Sequence, residues 1–249
     1  MQGVVLAAGE GTRMRPLTGD RPKGLVEVAG EPLLSYSFET LRSVGVEELL
    51  VVVGYRAEDI IDYYGDAYRD VPITYAHQRE QLGLAHALLQ VEPHVDGDFV
   101  AMNGDNVCRA NVDELVERHQ STGADASLLV DRVSETQART TAVFDFGDGP
   151  RPDERAGDTD TPDPVGIVEK PDEPPSRFSS RGIYVFSPTL FHACHLVQPS
   201  DRGEYELTDA IDLLLAAGRR VELLPLDGWC ENVNTPDDVA AVAERLADD

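Results

Sequence analysis

The chain has 249 residues, 41% of them hydrophobic, enough to bury a sizeable core as one α/β domain or two small ones. Its 46 acidic residues against 21 basic ones give a formal net charge of -25. That charge repels phosphate over most of the surface and argues against nucleic acid or an anionic membrane as partner. The acids are scattered through every segment and arginine almost entirely replaces lysine, a pattern that fits a halophilic origin. The two lysines that remain, Lys23 and Lys170, stand out, because lysine is a compact point charge suited to phosphate oxygens and arginine does not simply substitute for it. Cys108, Cys194 and Cys230 are odd in number, far apart and outside any CxxC pair, so they read as free thiols in a reducing cytosol. With no leader-like N-terminus and no apolar run of spanning length, the expectation is a soluble cytoplasmic protein.

Apolar runs alternate with amphipathic stretches over the first half. Residues 3–9 (GVVLAAG) read as a buried strand, 32–45 as a helix ending at Gly45, 48–55 as a strand and 57–68 as a helix. A strand at 72–78, a helix at 83–95 and a strand at 98–105 follow. Strands separated by helical patterns of this length imply βαβ units and a mainly parallel sheet. Ligands of such sheets sit beyond the carboxyl ends of the strands, and here those ends carry AGEGTR, HQRE and NGDN.

The second half has strand candidates at 127–130, 141–147, 165–171, 181–187 and 221–229. Residues 147–164 are acidic, rich in Pro and Gly and without periodicity, and read as an exposed loop inside one domain. Residues 235–249 read as a helix with Thr235 as N-cap and Pro236 in its first turn. No internal repeat is visible.

The turn AAGEGTRMRP lacks the Gly-Lys-Ser/Thr of a P-loop. It is also an incomplete dinucleotide fingerprint: Met14 stands where a third glycine belongs, and the second strand ends VVVGYR without the expected acid. What remains is a glycine turn that lets backbone N–H groups approach phosphate, followed by Arg13 and Arg15. Alone it is no more than a tight turn.

The longer string GEGTRMRPLT with Pro22-Lys23 resembles the signature of the sugar-1-phosphate nucleotidylyltransferases. The resemblance continues in order through HQREQLGLAHAL (77–88), NGDN (103–106), VEKP (168–171), RGIYVFSP (181–188), RGEYELTDAI (202–211) and GWCENVNTPDDV (228–239). The nearest subgroup is the glucose-1-phosphate uridylyl- and thymidylyltransferases. The resemblance implies a three-layer α/β/α sandwich with a largely parallel, Rossmann-like sheet, and one catalytic domain over residues 1–249 without a C-terminal β-helix.

It also implies a reaction in which a sugar 1-phosphate attacks the α-phosphorus of an NTP, UTP or dTTP, and expels pyrophosphate. Two polyanions must then be brought together and neutralised locally. By this resemblance Leu6, Ala7, Gly9, Gly11, Thr12 and Arg13 cradle the nucleotide with Gln78, which reads the pyrimidine edge, and Gly83. Arg13, Lys23 and Asp105 are the catalytic set. Glu169, Lys170, Gly182, Tyr184 and Arg202 hold the sugar phosphate, and Asp105 with Asn232 binds Mg²⁺. Family likeness also suggests a homo-oligomer. Both lysines of the chain fall on motif positions. For each residue a plainer role stays open: Asp105 as a turn residue, Glu169 as an ion-pair partner of Lys170, Tyr184 as a core aromatic.

Two departures stand out. The closing segment commonly carries an Asp as second metal ligand, where this chain has Asn232, with Glu231 and Asn234 as neighbouring candidates. Thr141 replaces a common glycine and could narrow the sugar site. His192-x-Cys194-His195 lacks the partner cluster that zinc would need. Two other readings remain alongside the enzyme: a non-catalytic nucleotide-sugar binder, and a glycosyltransferase of related fold.

Overall fold

The structure, a computed structural model of the chain, describes residues 1–148 and 163–248. The acidic loop expected at 147–164, with its Asp158-Thr-Asp160 triplet, lies almost wholly outside the described residues. The chain divides into two compact units, one made of Met1–Gln81, Gln90–Ala110 and Gly228–Asp249, the other of Leu82–Leu89 and Asn111–Asp227.

The first unit is built on a parallel sheet in which Gln2–Ala7 pairs with Phe99–Asn103 on one side and Glu48–Val53 on the other. Val71–His77 extends it beyond Glu48–Val53. These strands read as near-continuous apolar runs because both faces are covered; Val4, Val5, Leu50, Val51, Val100 and Ala101 are fully buried. The helix Leu33–Ser43 turns Leu33, Leu34, Phe38 and Leu41 inward at helical spacing. The α/β class with a largely parallel sheet therefore holds, and the ends bearing AGEGTR, HQRE and NGDN share one sheet edge.

A second core of this unit lies away from the sheet. Met14, Val26, Val28, Leu33, Val107, Trp229, Val233 and Val242 pack together. Each such side chain contributes roughly 1.5–3 kcal/mol when fully buried. These apolar residues alternate with the polar residues of the motifs, so their burial gathers the motif segments. The strand Gly228–Asn232 pairs antiparallel with Asn106–Ala110, and the guanidinium of Arg245 lies over the Trp229 ring at 4.5 Å.

In the second unit, Ala126–Arg132 pairs antiparallel with Phe178–Phe186 and parallel with Val221–Pro225. Ala142–Asp145 pairs antiparallel with Gly166–Glu169. The helices Val112–Thr122, Thr189–Cys194 and Leu207–Ala216 complete it.

Several boundaries depart from the sequence reading for identifiable reasons. The expected helix at 57–68 ends at Tyr64, where Gly65 at φ 67° caps it, and Ala67–Tyr68 is instead a short strand. The one at 83–95 stops at Leu89, and Pro93 sits in a separate turn of 3₁₀ helix at Glu92–His94. The expected strand at 221–229 is two strands. Pro225 ends the first, and Gly228, at φ 105°, opens the second where a Cβ would collide with the Arg109 carbonyl.

The cysteines require a correction. Cys108 and Cys230 form a disulfide, and Cys194 lies outside it, buried. The two residues are 122 positions apart, so no spacing rule links them. They are directly opposite in the antiparallel pairing of their strands, which brings facing Cβ atoms to about 4.5–5.5 Å.

Candidate functional site

The first unit assembles one polar cluster from four separated segments. Gly11, at φ 68°, takes the left-handed turn that glycine adopts without strain, and a Cβ there would come within 2.8 Å of the Lys23 Cβ. The aliphatic stem of Lys23 thus lies against the phosphate-type turn. Met14 is buried in the second core while its neighbour Arg13 is exposed. Gly104 is packed equally closely: its N–H donates to the Leu6 carbonyl at 3.0 Å, and a Cβ would meet Leu6, Ala7 and Leu34 at 3.1 Å. That contact sets Asp105 beside the end of the first strand.

Lys23 Nζ donates to Asp105 Oδ2 at 2.6 Å and to Asn234 Oδ1 at 2.9 Å. Arg13 Nη2 donates to the same Asn234 oxygen at 2.8 Å. Asn232 Nδ2 donates to Asp105 Oδ1 at 2.6 Å and to Asn106 Oδ1 at 2.8 Å. The Val233 N–H closes the arrangement on the Asp105 carbonyl at 2.9 Å. The Lys23 side chain is 12% exposed and that of Asp105 25%, so this ion pair is shielded yet reachable. Arg13, Lys23, Asp105 and Asn232, named from sequence alone, are thus brought together. Gln78 follows the strand Val71–His77 and is 4% exposed. Its neighbour Gln81 donates to the Ala8 carbonyl at 3.2 Å.

The metal-ligating atoms these side chains can offer are oxygens, the Asp105 carboxylate and the amide oxygens of Asn106, Asn232 and Asn234, with Asn232 here presenting its amide nitrogen to Asp105. Such a set suits a hard divalent ion that keeps several waters and takes one or two carboxylates. Among the described residues no group of three or more His, Cys, Asp or Glu side chains could hold a metal. Of the residues His192, Cys194 and His195, both histidines are exposed and the cysteine is buried.

The second unit holds another cluster. Glu169 ends its strand, and Lys170 follows with φ 46°, a conformation that costs a non-glycine residue of order 1–3 kcal/mol and concentrates at functional positions. Lys170 Nζ lies 3.0 Å from Glu169 Oε1 and Arg202 Nη2 lies 3.7 Å from it. Thr208 Oγ1 donates to Glu169 Oε2 at 2.9 Å. Arg202 Nη2 also donates to Glu206 Oε1 at 2.7 Å, and Ser200 Oγ donates to the same oxygen at 3.0 Å. The hydrogen bond to Glu206 holds the Arg202 guanidinium in its charged form above its ordinary range. Burial, then the carboxylates of Glu206, Asp212 and Glu169, pushes the Asp209 carboxyl above its ordinary value.

Other expected residues have visible local roles. Gly182, at φ 73°, sits where the pairing of Phe178–Phe186 with its neighbour shifts register. Tyr184 is 7% exposed and stacks on Phe186 at 5.3 Å, which accounts for an aromatic there by packing alone. Gly83, at φ 97°, leaves room for the Tyr205 backbone, 2.5 Å from where a Cβ would stand. Thr141 receives a hydrogen bond from Ser179 Oγ at 3.0 Å, and its carbonyl accepts the Lys170 N–H at 3.1 Å.

Sequence reasoning missed Glu206 and Thr208 as the groups that hold Arg202 and Glu169. The spacing of Arg202 and Glu206 by four residues was the available signal. It also missed Asn234 as a shared acceptor, for which no local signal exists.

Residues 2–248 match the family model described as nucleotidyl transferase, and the chain belongs to this family. Within it, the chain is 50% identical to the UTP–glucose-1-phosphate uridylyltransferase AglF of Haloferax volcanii, across 100% of this chain and 98% of that protein. It is 34% identical to a glucose-1-phosphate thymidylyltransferase of Streptomyces griseus, spanning 97% of this chain and 65% of the relative. A solved structure described as a glucose-1-phosphate thymidylyltransferase from Bacillus anthracis is similar with a TM-score of 0.84 at 26% identity, covering 100% of this chain and 96% of that one.

Proposed function

We propose that this chain is a uridylyltransferase that joins UTP and glucose 1-phosphate into UDP-glucose and pyrophosphate. The observation that carries the substrate assignment is the 50% identity, over essentially both full lengths, to an enzyme named for that reaction. A sugar-phosphate oxygen attacks the α-phosphorus, the bond to the bridging oxygen of the β-phosphate breaks, and pyrophosphate leaves. The nucleophile is already an anion, so no general base is needed. The protein's task is positioning and charge neutralisation.

In this reading Arg13 and Lys23 meet the triphosphate, with the Gly9–Gly11 turn and Thr12 offering backbone N–H groups and Leu6 and Ala7 forming its floor. Gln78 and Gly83 belong to the nucleotide's side. Lys170 and Arg202 hold the phosphate of glucose 1-phosphate, Glu169 orients sugar hydroxyls, and Gly182 and Tyr184 shape that pocket. Asp105 and Asn232, the latter with its amide oxygen turned to the ion, would hold Mg²⁺, which would supply charge neutralisation to the phosphates. The enzyme works in the cytoplasm, as a homo-oligomer, with residues 1–249 as one catalytic domain. Its acid-rich composition suits concentrated salt.

A second base is favoured by the thymidylyltransferase relative. Uracil and thymine differ by one methyl, worth only about 1–3 kcal/mol of discrimination, so dTTP is expected as a slower substrate. The test is pyrophosphate release in molar KCl with Mg²⁺, pairing UTP, dTTP, CTP and GTP with glucose 1-phosphate and other sugar 1-phosphates. UTP with glucose 1-phosphate should be fastest. No release from any pair would favour the non-catalytic binder, and sugar transfer from ready-made UDP-glucose would favour the glycosyltransferase.

A further inference from the structure

We infer that Asn234 is a positioning residue for the nucleotide, a neutral acceptor that holds Arg13 and Lys23 together for one triphosphate. The inference rests on the nucleotide-binding reading of that cluster. Its observation is a single oxygen, Asn234 Oδ1, that accepts from Arg13 Nη2 at 2.8 Å and from Lys23 Nζ at 2.9 Å. Two cations sharing one acceptor cannot lie farther apart than those two distances combined. That is a spacing at which both reach neighbouring phosphates of one chain.

The acceptor is itself fixed. Asn234 N–H and Thr235 N–H both donate to Asp238 Oδ2 at 2.8 Å, and Asp238 N–H donates back to Thr235 Oγ1 at 3.2 Å. This reciprocal cap starts the helix Pro236–Asp248. On the other side Val233 is fully buried in the second core. The backbone of Asn234 is therefore held from both ends, and its short side chain has little freedom.

Neutrality matters as much as position. The cations repel one another at this range, and a carbonyl dipole between them relieves that without cancelling their charge. A carboxylate at the same place would form two ion pairs and remove the charge the triphosphate needs. Lys23 has three N–H donors; one serves Asp105 and one serves Asn234, which leaves the third for phosphate. Arg13 likewise spends one of its five donors on Asn234.

The experiment uses the full chain and UTP with Mg²⁺, without sugar phosphate, followed by calorimetry, and then KM for each substrate. Asn234→Ala should weaken UTP binding about tenfold, the scale of a lost charge-assisted contact. KM for UTP should rise in step, with KM for glucose 1-phosphate within about twofold of wild type. Asn234→Asp, which is isosteric and decides the matter if the alanine variant does not fold, should weaken UTP binding at least as much. UTP affinity unchanged in Asn234→Ala, a loss shared equally by both KM values, or tighter UTP binding by Asn234→Asp would overturn the inference. A wild type that binds UTP but releases no pyrophosphate would sink the enzyme reading and leave this inference to the binding data.

Discussion

The two polar clusters use the same two kinds of cation under opposite electrostatic conditions. In the first unit Arg13 and Lys23 face one carboxylate, Asp105, and share a neutral amide. In the second, Lys170 and Arg202 face Glu169 and Glu206, with Asp209 close enough for both carboxylates to raise it. The first cluster keeps an excess of positive charge on a protein of net charge -25; the second does not. The difference follows the ligands each is proposed to take. A triphosphate brings several negative charges and needs standing compensation. A sugar monophosphate brings fewer, and its hydroxyls need a carboxylate to accept from them.

The lysines differ in setting as well. The Lys23 side chain is 12% exposed and that of Lys170 44%, so water screens the second far more. The largest expected effect is therefore at Lys23. Lys23→Ala should lower kcat/KM for pyrophosphate release by about 10²–10³, the cost of losing a preorganised donor to developing charge. Lys170→Ala should cost about tenfold, because its side chain is far more exposed and its charge is screened by water. Equal losses in the two variants would break the comparison.

A smaller effect is expected at Asn232, whose amide nitrogen donates to Asp105 and Asn106. Asn232→Asp replaces that donation with a second carboxylate facing the first. The metal-free protein should melt at a lower temperature, while the Mg²⁺ concentration for half-maximal activity falls several-fold, since added carboxylate charge strengthens a hard-cation site. A rise in the Mg²⁺ requirement would show that another oxygen, from Glu231 or Asn234, is the ligand.

The smallest effect concerns the crowded carboxylates. The Asp209 carboxyl is raised in the folded state, by burial first and then by Glu206, Asp212 and Glu169. The folded protein binds a proton there more tightly than the unfolded chain does. That stability is complete below the ordinary aspartate range and is lost as pH rises through the raised folded value. Asp209→Asn should consequently melt a little higher than wild type near neutrality, with the gap closing in acid. A gap that widens in acid would contradict the assignment. The Glu222 carboxyl gives the reverse sign: burial pushes it up, but hydrogen bonds and charge from Arg220 and Arg118 outweigh that and lower it.

Much of this was legible in the sequence because the motif residues occur in order and the parallel strands are nearly continuous apolar runs. Gly11, Arg13, Lys23 and Asp105 could be named because the family resemblance runs through their motifs, and Lys23 also because the chain keeps only two lysines. Glu206 and Thr208 lay inside a quoted motif; the Arg202–Glu206 pair was signalled by its spacing of four, but the contact of Thr208 with Glu169 spans 39 residues and no local residue type announces it. The bridge at Asn234 and the Cys108–Cys230 disulfide depend on one long-range fact, the antiparallel pairing of Asn106–Ala110 with Gly228–Asn232. Local spacing carries no information about partners so far apart. The helix expected through residue 68 failed for a local reason, since Gly65 caps it at Tyr64.

The division of labour between the two lysines can be read most directly from a pair of KM values measured in each variant. Lys23→Ala should raise KM for UTP, or lower kcat, with little change in KM for glucose 1-phosphate. Lys170→Ala should raise KM for glucose 1-phosphate about tenfold and leave KM for UTP within about twofold. A Lys170→Ala variant whose defect lies in UTP instead would contradict the account.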